Sequence, residues 1–306
     1  MIFRHAYRGG VWVDLEHPTE DEVRSIAQEF SISERLEMEL FSPTPSSLVA
    51  SDEGVTFLVL HFPTHGDTDG EIRDQEVDFA IGKEFIITVR YEVIAPLHRL
   101  QKLLEAQQLI SPHDTITTDV FLEILFAHLY TSVRDHTSHV ADRLTHIERD
   151  MFSGFEHATV RLISDISREF LHIEAGLANQ EEPLTRFLRA LSLKGSFGAS
   201  FTERAERIRA ERAQAARFVM TYRAVATELR ETNASLLESR QNEIMKRLTI
   251  VNFIFLPLGL ISWTFAMRTE GIPLIDSPYA FWIVLAFMFI VAMSLITFFI
   301  KKRWIF

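Results

Sequence analysis

A chain of 306 residues without cysteine can form neither a disulfide framework nor a thiolate metal site. Its net charge of −11 is concentrated at the front, where residues 1–80 hold 17 Asp and Glu against 5 Arg and no Lys, a balance of −12 that leaves about +1 for the rest. That front region is excluded as a nucleic-acid surface, which needs clustered Lys and Arg, and suits either a solvated acidic face or a cationic partner or regulator.

The first ten residues lack the apolar segment of a secretory signal, so insertion into a membrane is expected to rest on the other end of the chain. Residues 11–15, Val-Trp-Val-Asp-Leu, alternate as a short strand. Pro18-Thr19-Glu20-Asp21-Glu22 then opens a helix, with Thr19 as N-cap and acids in the first turn. Residues 55–62, 77–81 and 85–90 read as three more strands, separated by Gly- and Asp-rich turns at 64–70 and 82–83. A mixed sheet with helices alongside is therefore predicted for an α/β domain over residues 1–112.

From residue 113 to 247 the pattern is one of long helices. Three are predicted, about 117–152, about 156–193, and 201–267. The last has no proline before Pro257 and carries Glu203, Arg204, Glu206, Arg207, Arg209, Glu211 and Arg212 straight towards the apolar end, so it reads as one helix roughly 100 Å long. A domain of this size cannot bury such a helix alone, which predicts an oligomer. His128, His136, His139 and His146 lie on the first long helix. Their spacing matches no closed zinc motif and predicts a polar, partly solvated face in preference to a metal site. Asn233-Ala-Ser235 has the form of a glycosylation sequon, inert on the cytoplasmic side. No phosphate loop, nucleophile elbow or paired His-Glu motif is present, so neither an enzyme nor a covalently bound cofactor is expected.

Residues 248–306 decide the class. Two uncharged apolar runs, 248–267 and 279–300, are each long enough to cross a bilayer core of roughly 30 Å as a helix. Only eleven residues join them, so the two spans run antiparallel and both termini lie on one side. Lys246 and Arg247 precede the first span and Lys301, Lys302 and Arg303 follow the second, whereas the connecting loop has one base, which places both termini in the cytoplasm. Trp304 follows the second span as an expected headgroup anchor. On the first span Met245, Leu248, Asn252, Leu256, Gly259 and Trp263 share one helical face. A symmetric ring of that face would place amides between hydrophobic rings, as in a narrow ion path gated by dewetting. Alternatively, Asn252 only hydrogen-bonds a neighbouring helix, Trp263 faces lipid at the interface, and the hairpin is an anchor.

Asn242-Glu-Ile-Met-Lys-Arg-Leu-Thr249, Ile254-Phe-Leu-Pro-Leu258 and Glu270-Gly-Ile-Pro273 resemble the membrane end of the CorA family of divalent metal-ion transporters. Trp12-Val-Asp-Leu15 with Pro18-Thr19 and the strand Ile87-Thr88-Val89 are similar to the same family, so the resemblance spans essentially the whole chain. It implies a membrane α plus cytoplasmic α/β fold in a homopentameric funnel of the inner membrane, whose long stalk helix continues into the first of two transmembrane helices. It also implies that Met245, Leu248, Asn252, Leu256, Gly259 and Trp263 line the pore, with Met245 and Leu248 as a cytoplasmic-side constriction. Divalent cations are the implied substrate, Mg²⁺ by default and Co²⁺, Ni²⁺ or Zn²⁺ beside it. Cytoplasmic Mg²⁺ held by acids between subunits is the implied regulator, and no residue here is matched to its ligands.

The family's Gly-Met-Asn signature at the outer mouth stands here as Ala266-Met267-Arg268. Five guanidinium groups some 6 Å from a divalent ion would repel it by roughly 7 kcal/mol even at water's dielectric constant. Glu270 and Asp276 share each loop with Arg268, so a pentameric mouth carries a net negative charge of five. A changed selectivity is therefore expected. Relaxed cation conduction, reversed flux and a non-transporting scaffold remain as alternatives.

Overall fold

A computed structural model describes residues 1–65, 72–110, 116–154, 156–193, 197–198, 200–267 and 279–302. The chain divides into two compact units, Met1–Arg230 and Glu231–Phe306.

Within the first unit, β1 (Ile2–Tyr7) and β2 (Gly10–Glu16) form a hairpin, followed by α1 (Glu20–Glu29) and α2 (Glu34–Glu39). Strands β3 (Val49–Asp52), β4 (Val55–His65), β5 (Ile72–Ile81) and β6 (Phe85–Arg90) complete a six-stranded sheet of order β1-β2-β6-β5-β4-β3. Only β2 and β6 pair in parallel, and the other neighbours are antiparallel, so the sheet is mixed as predicted. The sheet has two strands more than the pattern indicates. Both are edge strands: β1 is largely exposed and β3 has four residues without a buried side chain. An edge strand with neither face fully covered lacks the strong alternation that marks a strand. Gly10 is required where β2 enters beside β6, because a Cβ there would sit 2.0 Å from the Glu84 carbonyl oxygen.

Thr19 caps α1 as the sequence predicts. Its hydroxyl accepts from the Glu22 backbone N–H at 3.3 Å, and the Glu22 carboxylate accepts from the Thr19 N–H at 2.9 Å. Val23, Ile26 and Ala27 then pack with Val13, Leu15, Phe57, Ala80, Ile87 and Val89 on one sheet face. By strand alternation the opposite face presents Trp12, Asp14, Phe79, Thr88 and Arg90. There Trp12 meets Phe121 at 5.4 Å between ring centroids, and Phe79 meets Phe126 at 5.1 Å. Both partners belong to α4 (Thr118–Phe152), which follows α3 (Ala95–Ile110), a helix the pattern does not anticipate.

The predicted helix over 156–193 is instead two, α5 (Glu156–Asn179) and α6 (Glu181–Leu193), a correction whose cause is local. Pro183 has no N–H for the Asn179 carbonyl and its ring clashes with that turn, so the helix must stop before it and restart with proline in the first turn. The freed residue, Gln180, is 1% exposed. It accepts from the Tyr130 hydroxyl at 3.0 Å and donates to the His61 carbonyl at 2.6 Å.

The third long helix is continuous, α7 (Phe201–Ala266), with Pro257 inside it, and the second apolar run is α8 (Ala280–Lys301). In the first unit the Arg-rich start of α7 is tied down by ion pairs. Arg204 reaches Asp119 and Glu123 at 2.7 and 3.1 Å, Glu211 takes Arg134 at 2.7 Å, and Arg223 takes Glu174 at 2.5 Å. The charged start of the long helix is therefore packed against α4 and α5 of its own chain.

Candidate ion-conduction site

The second unit holds two helices long and apolar enough to cross a membrane, the end of α7 and α8, and only 6% of each apolar window is buried. The core helix of a soluble protein is mostly buried, and among the described residues these two helices are not.

The two helices touch along one side of α7. Phe253 meets Phe299 edge-on at 6.3 Å, and Ile250 and Phe299 are the two buried residues of the pairing. Ile254, Pro257, Leu258, Ile261 and Phe265 are half-buried on the same side as Ile250. Met245, Leu248, Asn252, Leu256, Gly259 and Trp263 fall within a sector of about 80° on the opposite side. Met245, Leu248, Leu256 and Trp263 are 54%, 52%, 70% and 71% exposed, Asn252 is exposed, and Gly259 is partly covered. The cover at Gly259 is local, because a Cβ there would lie 3.9 Å from Cζ2 of Trp263, whose indole folds back over it. The six residues therefore form one continuous strip on the side of α7 away from Ile250. Asn252 is its one amide.

Two threonine hydroxyls of this stretch are taken up by the helix itself. Thr249 donates to the Met245 carbonyl at 2.7 Å and Thr264 to the Leu260 carbonyl at 2.8 Å. Pro257 leaves the Phe253 carbonyl without its helical donor. The N-terminal end of the apolar stretch is charged: Lys246 and Arg247 are exposed, with Arg247 3.9 Å from Glu243.

Ala266 and Met267, expected at the outer mouth, are both exposed at the end of α7. Arg268, Glu270, Asp276 and the expected anchor Trp304 lie outside the described residues. Among the described residues no three His, Asp or Glu side chains gather in a metal-holding group. The four histidines of α4 separate accordingly. His128 and His136 are partly buried, His136 lying 3.7 Å from Glu169, while His139 and His146 are exposed. Burial pulls His128 below its ordinary pKa.

Against known proteins, the chain matches the family model described as CorA-like Mg²⁺ transporter protein over residues 7–303. The cobalt/magnesium transport protein CorA of Methanocaldococcus jannaschii is 22% identical over 303 residues, covering 96% of this chain and 91% of that protein. The complete structure of the CorA magnesium transporter from the same organism superposes with a TM-score of 0.75 at 20% identity, over 97% of this chain and 92% of that one. Full-length CmaX superposes with a TM-score of 0.66 at 17% identity, over 96% and 89%. The shared fold thus runs through both apolar helices.

Proposed function

This chain belongs to the CorA-like Mg²⁺ transporter family, a family of divalent-cation transporters, and we propose that it conducts Mg²⁺ through a homopentameric pore lined by the strip Met245, Leu248, Asn252, Leu256, Gly259 and Trp263. The observation that carries this reading is that the strip lies on the side of α7 opposite α8. With α8 packed outside, five copies can turn the strip to a common axis. Both termini then lie in the cytoplasm, with the chain multi-pass in the inner membrane.

On that axis Met245 and Leu248 form the hydrophobic constriction, which passes a hydrated ion only when it widens and wets. The Asn252 amides form a polar ring one turn further, offering carbonyl oxygens to the ion's water shell. Trp263 narrows the outward end, and Ala266, Met267 and Arg268 with Glu270 and Asp276 make the mouth. Mg²⁺ surrenders its water reluctantly, so a path of amide and apolar rings suits passage of the hydrated ion. Co²⁺, Ni²⁺ and Zn²⁺ are further candidate substrates.

One sequence feature favours a second reading. Arg268 in place of the signature's asparagine opposes a dication at the mouth, which would suit a relaxed cation pore, an efflux path or a scaffold that does not conduct. Flux through purified protein in liposomes separates these. Selective Mg²⁺ flux supports the first reading, equal flux of monovalent ions supports the relaxed pore, and a sealed vesicle with intact oligomer supports the scaffold.

A further inference from the structure

On the α1 and α2 side of the sheet, strand alternation continues from the apolar cluster around Ala80 to two acids, Asp78 and Glu76, with His61 of β4 opposite Glu76. Asp78 is fully buried and Glu76 is 8% exposed. Glu76 is well supplied with donors. The Thr44 N–H reaches both carboxylate oxygens at 2.9 and 2.7 Å, the Thr44 hydroxyl reaches one at 3.0 Å, and His61 Nε2 stands 3.5 Å away. The same His61 nitrogen lies 2.9 Å from the Thr44 carbonyl. Among the described residues Asp78 has one donor, the Tyr91 hydroxyl on Oδ2 at 2.9 Å. Its other oxygen, Oδ1, is buried without a hydrogen-bond partner among the described residues, and Glu76 stands two positions away on the same face of β5.

Two ionised carboxylates can only accept, so this pair has no bond to make and repels. A single proton removes both problems, since a protonated carboxyl donates through the orphaned oxygen. No Lys or Arg among the described residues forms an ion pair with either group, and no metal-holding group of three ligands assembles there. The charged and titratable neighbours are Glu76 beside Asp78 on β5, His61 on β4, Tyr91 after β6, Glu39 on α2 and, near His61, Asp74.

We propose that Asp78 is a proton-binding site, its carboxyl protonated at neutral pH and donating to Glu76, so that Glu76 stays clasped to Thr44 and latches the segment 41–48 onto the sheet. Burial, then the Glu76 charge, hold Asp78 well above the usual carboxylate range. Burial also pulls Glu76 upward, but His61 and Thr44 outweigh it and leave Glu76 below its ordinary value, so the proton belongs on Asp78. Because the raised Asp78 binds its proton only in the folded chain, this contribution falls as pH rises from the unfolded value of about 3.9 to the folded one. His61, raised chiefly by Glu76, acts in the same direction, complete below about 6.5 and lost as pH climbs through its folded value. Above the folded value of Asp78 two adjacent anions push apart, and the grip on Thr44 loosens.

Full-length protein in detergent tests this by infrared spectroscopy and hydrogen exchange. A protonated-carboxyl band at pH 7 is expected in the wild type and lost in Asp78→Asn, whose amide keeps the donor to Glu76 and the acceptor for Tyr91. Exchange in 41–48 should accelerate with pH beyond the intrinsic base-catalysed rise in the wild type, and less so in Asp78→Asn. Should Asp78→Asn fail to fold, Glu76→Gln decides, because its amide donates to Asp78 and should ionise it and abolish the band. A band unchanged in either variant, or an Asp78→Asn exchange profile identical to the wild type, overturns the assignment. Loss of the band on adding Mg²⁺ at constant pH also overturns it, making the pair a cation site.

Discussion

Arg90→Met tests whether a buried charge pair anchors the sheet that carries the rest of the first unit. Asp14 and Arg90 are both fully buried, on the parallel pair β2 and β6. Arg90 donates to Asp14 Oδ2 through Nε at 3.0 Å and Nη2 at 2.9 Å, and Nη2 also reaches Glu16 at 2.6 Å. Thr88 and Gln101 supply the remaining donors to Asp14, and Trp12 donates to the Thr88 hydroxyl at 3.0 Å. Burial holds the Asp14 pKa above its ordinary value even with Arg90 in place. Methionine matches the length of Arg90 but removes the compensating charge, and an uncompensated buried carboxylate costs about 3–5 kcal/mol. For a unit of 230 residues, at about 2–4 °C per kcal/mol, that is a fall in Tm of about 6–20 °C. The assay is thermal unfolding of the full-length protein, followed by near-UV circular dichroism. The double variant Asp14→Leu with Arg90→Met should recover at least half of the loss, because neither charge then remains buried. A single-variant shift below about 3 °C, or a double variant no better than the single, would refute the argument.

Four further outcomes are expected. Arg268→Asn should raise divalent flux in liposomes, and unchanged or lower flux would remove Arg268 from control of the mouth. Asn252→Leu should reduce conduction while the oligomer persists on size-exclusion chromatography; dissociation instead would assign Asn252 to helix packing. Trp263→Ala should increase flux if the indole narrows the path, and leave it unchanged if the ring faces lipid. Thr19→Ala removes one half of a capping box and should cost about 1 kcal/mol, read as a Tm lower by about 2–4 °C.

Much of this molecule is legible along the chain because the relevant signals are local. Thr19 and its following acids mark the start of α1, and the uninterrupted pattern from Phe201 predicts α7 to within a residue at its end. Pro183 is an equally local signal, and it divides α5 from α6. Strands β1 and β3 carry weaker marks, since an edge strand half open to water has little need of alternation. The six residues of the candidate pore strip were readable as a shared helical face. Their position opposite α8 required the pairing of Phe253 with Phe299.

What the sequence determined by itself is whatever depends on the solvent each segment meets: two apolar runs call for lipid, the bases flanking them give an expected orientation, and an acidic front end argues against a nucleic-acid partner. What the tertiary structure alone decided is which distant groups share a site. Asp14 finds Arg90 across 76 positions, and Glu76 finds Thr44 across 32, because strand order and register, set by the burial of whole faces, bring them together. No short-range pattern contains that information, since a buried carboxylate and a solvated one are written with the same letter and differ only in what folds over them.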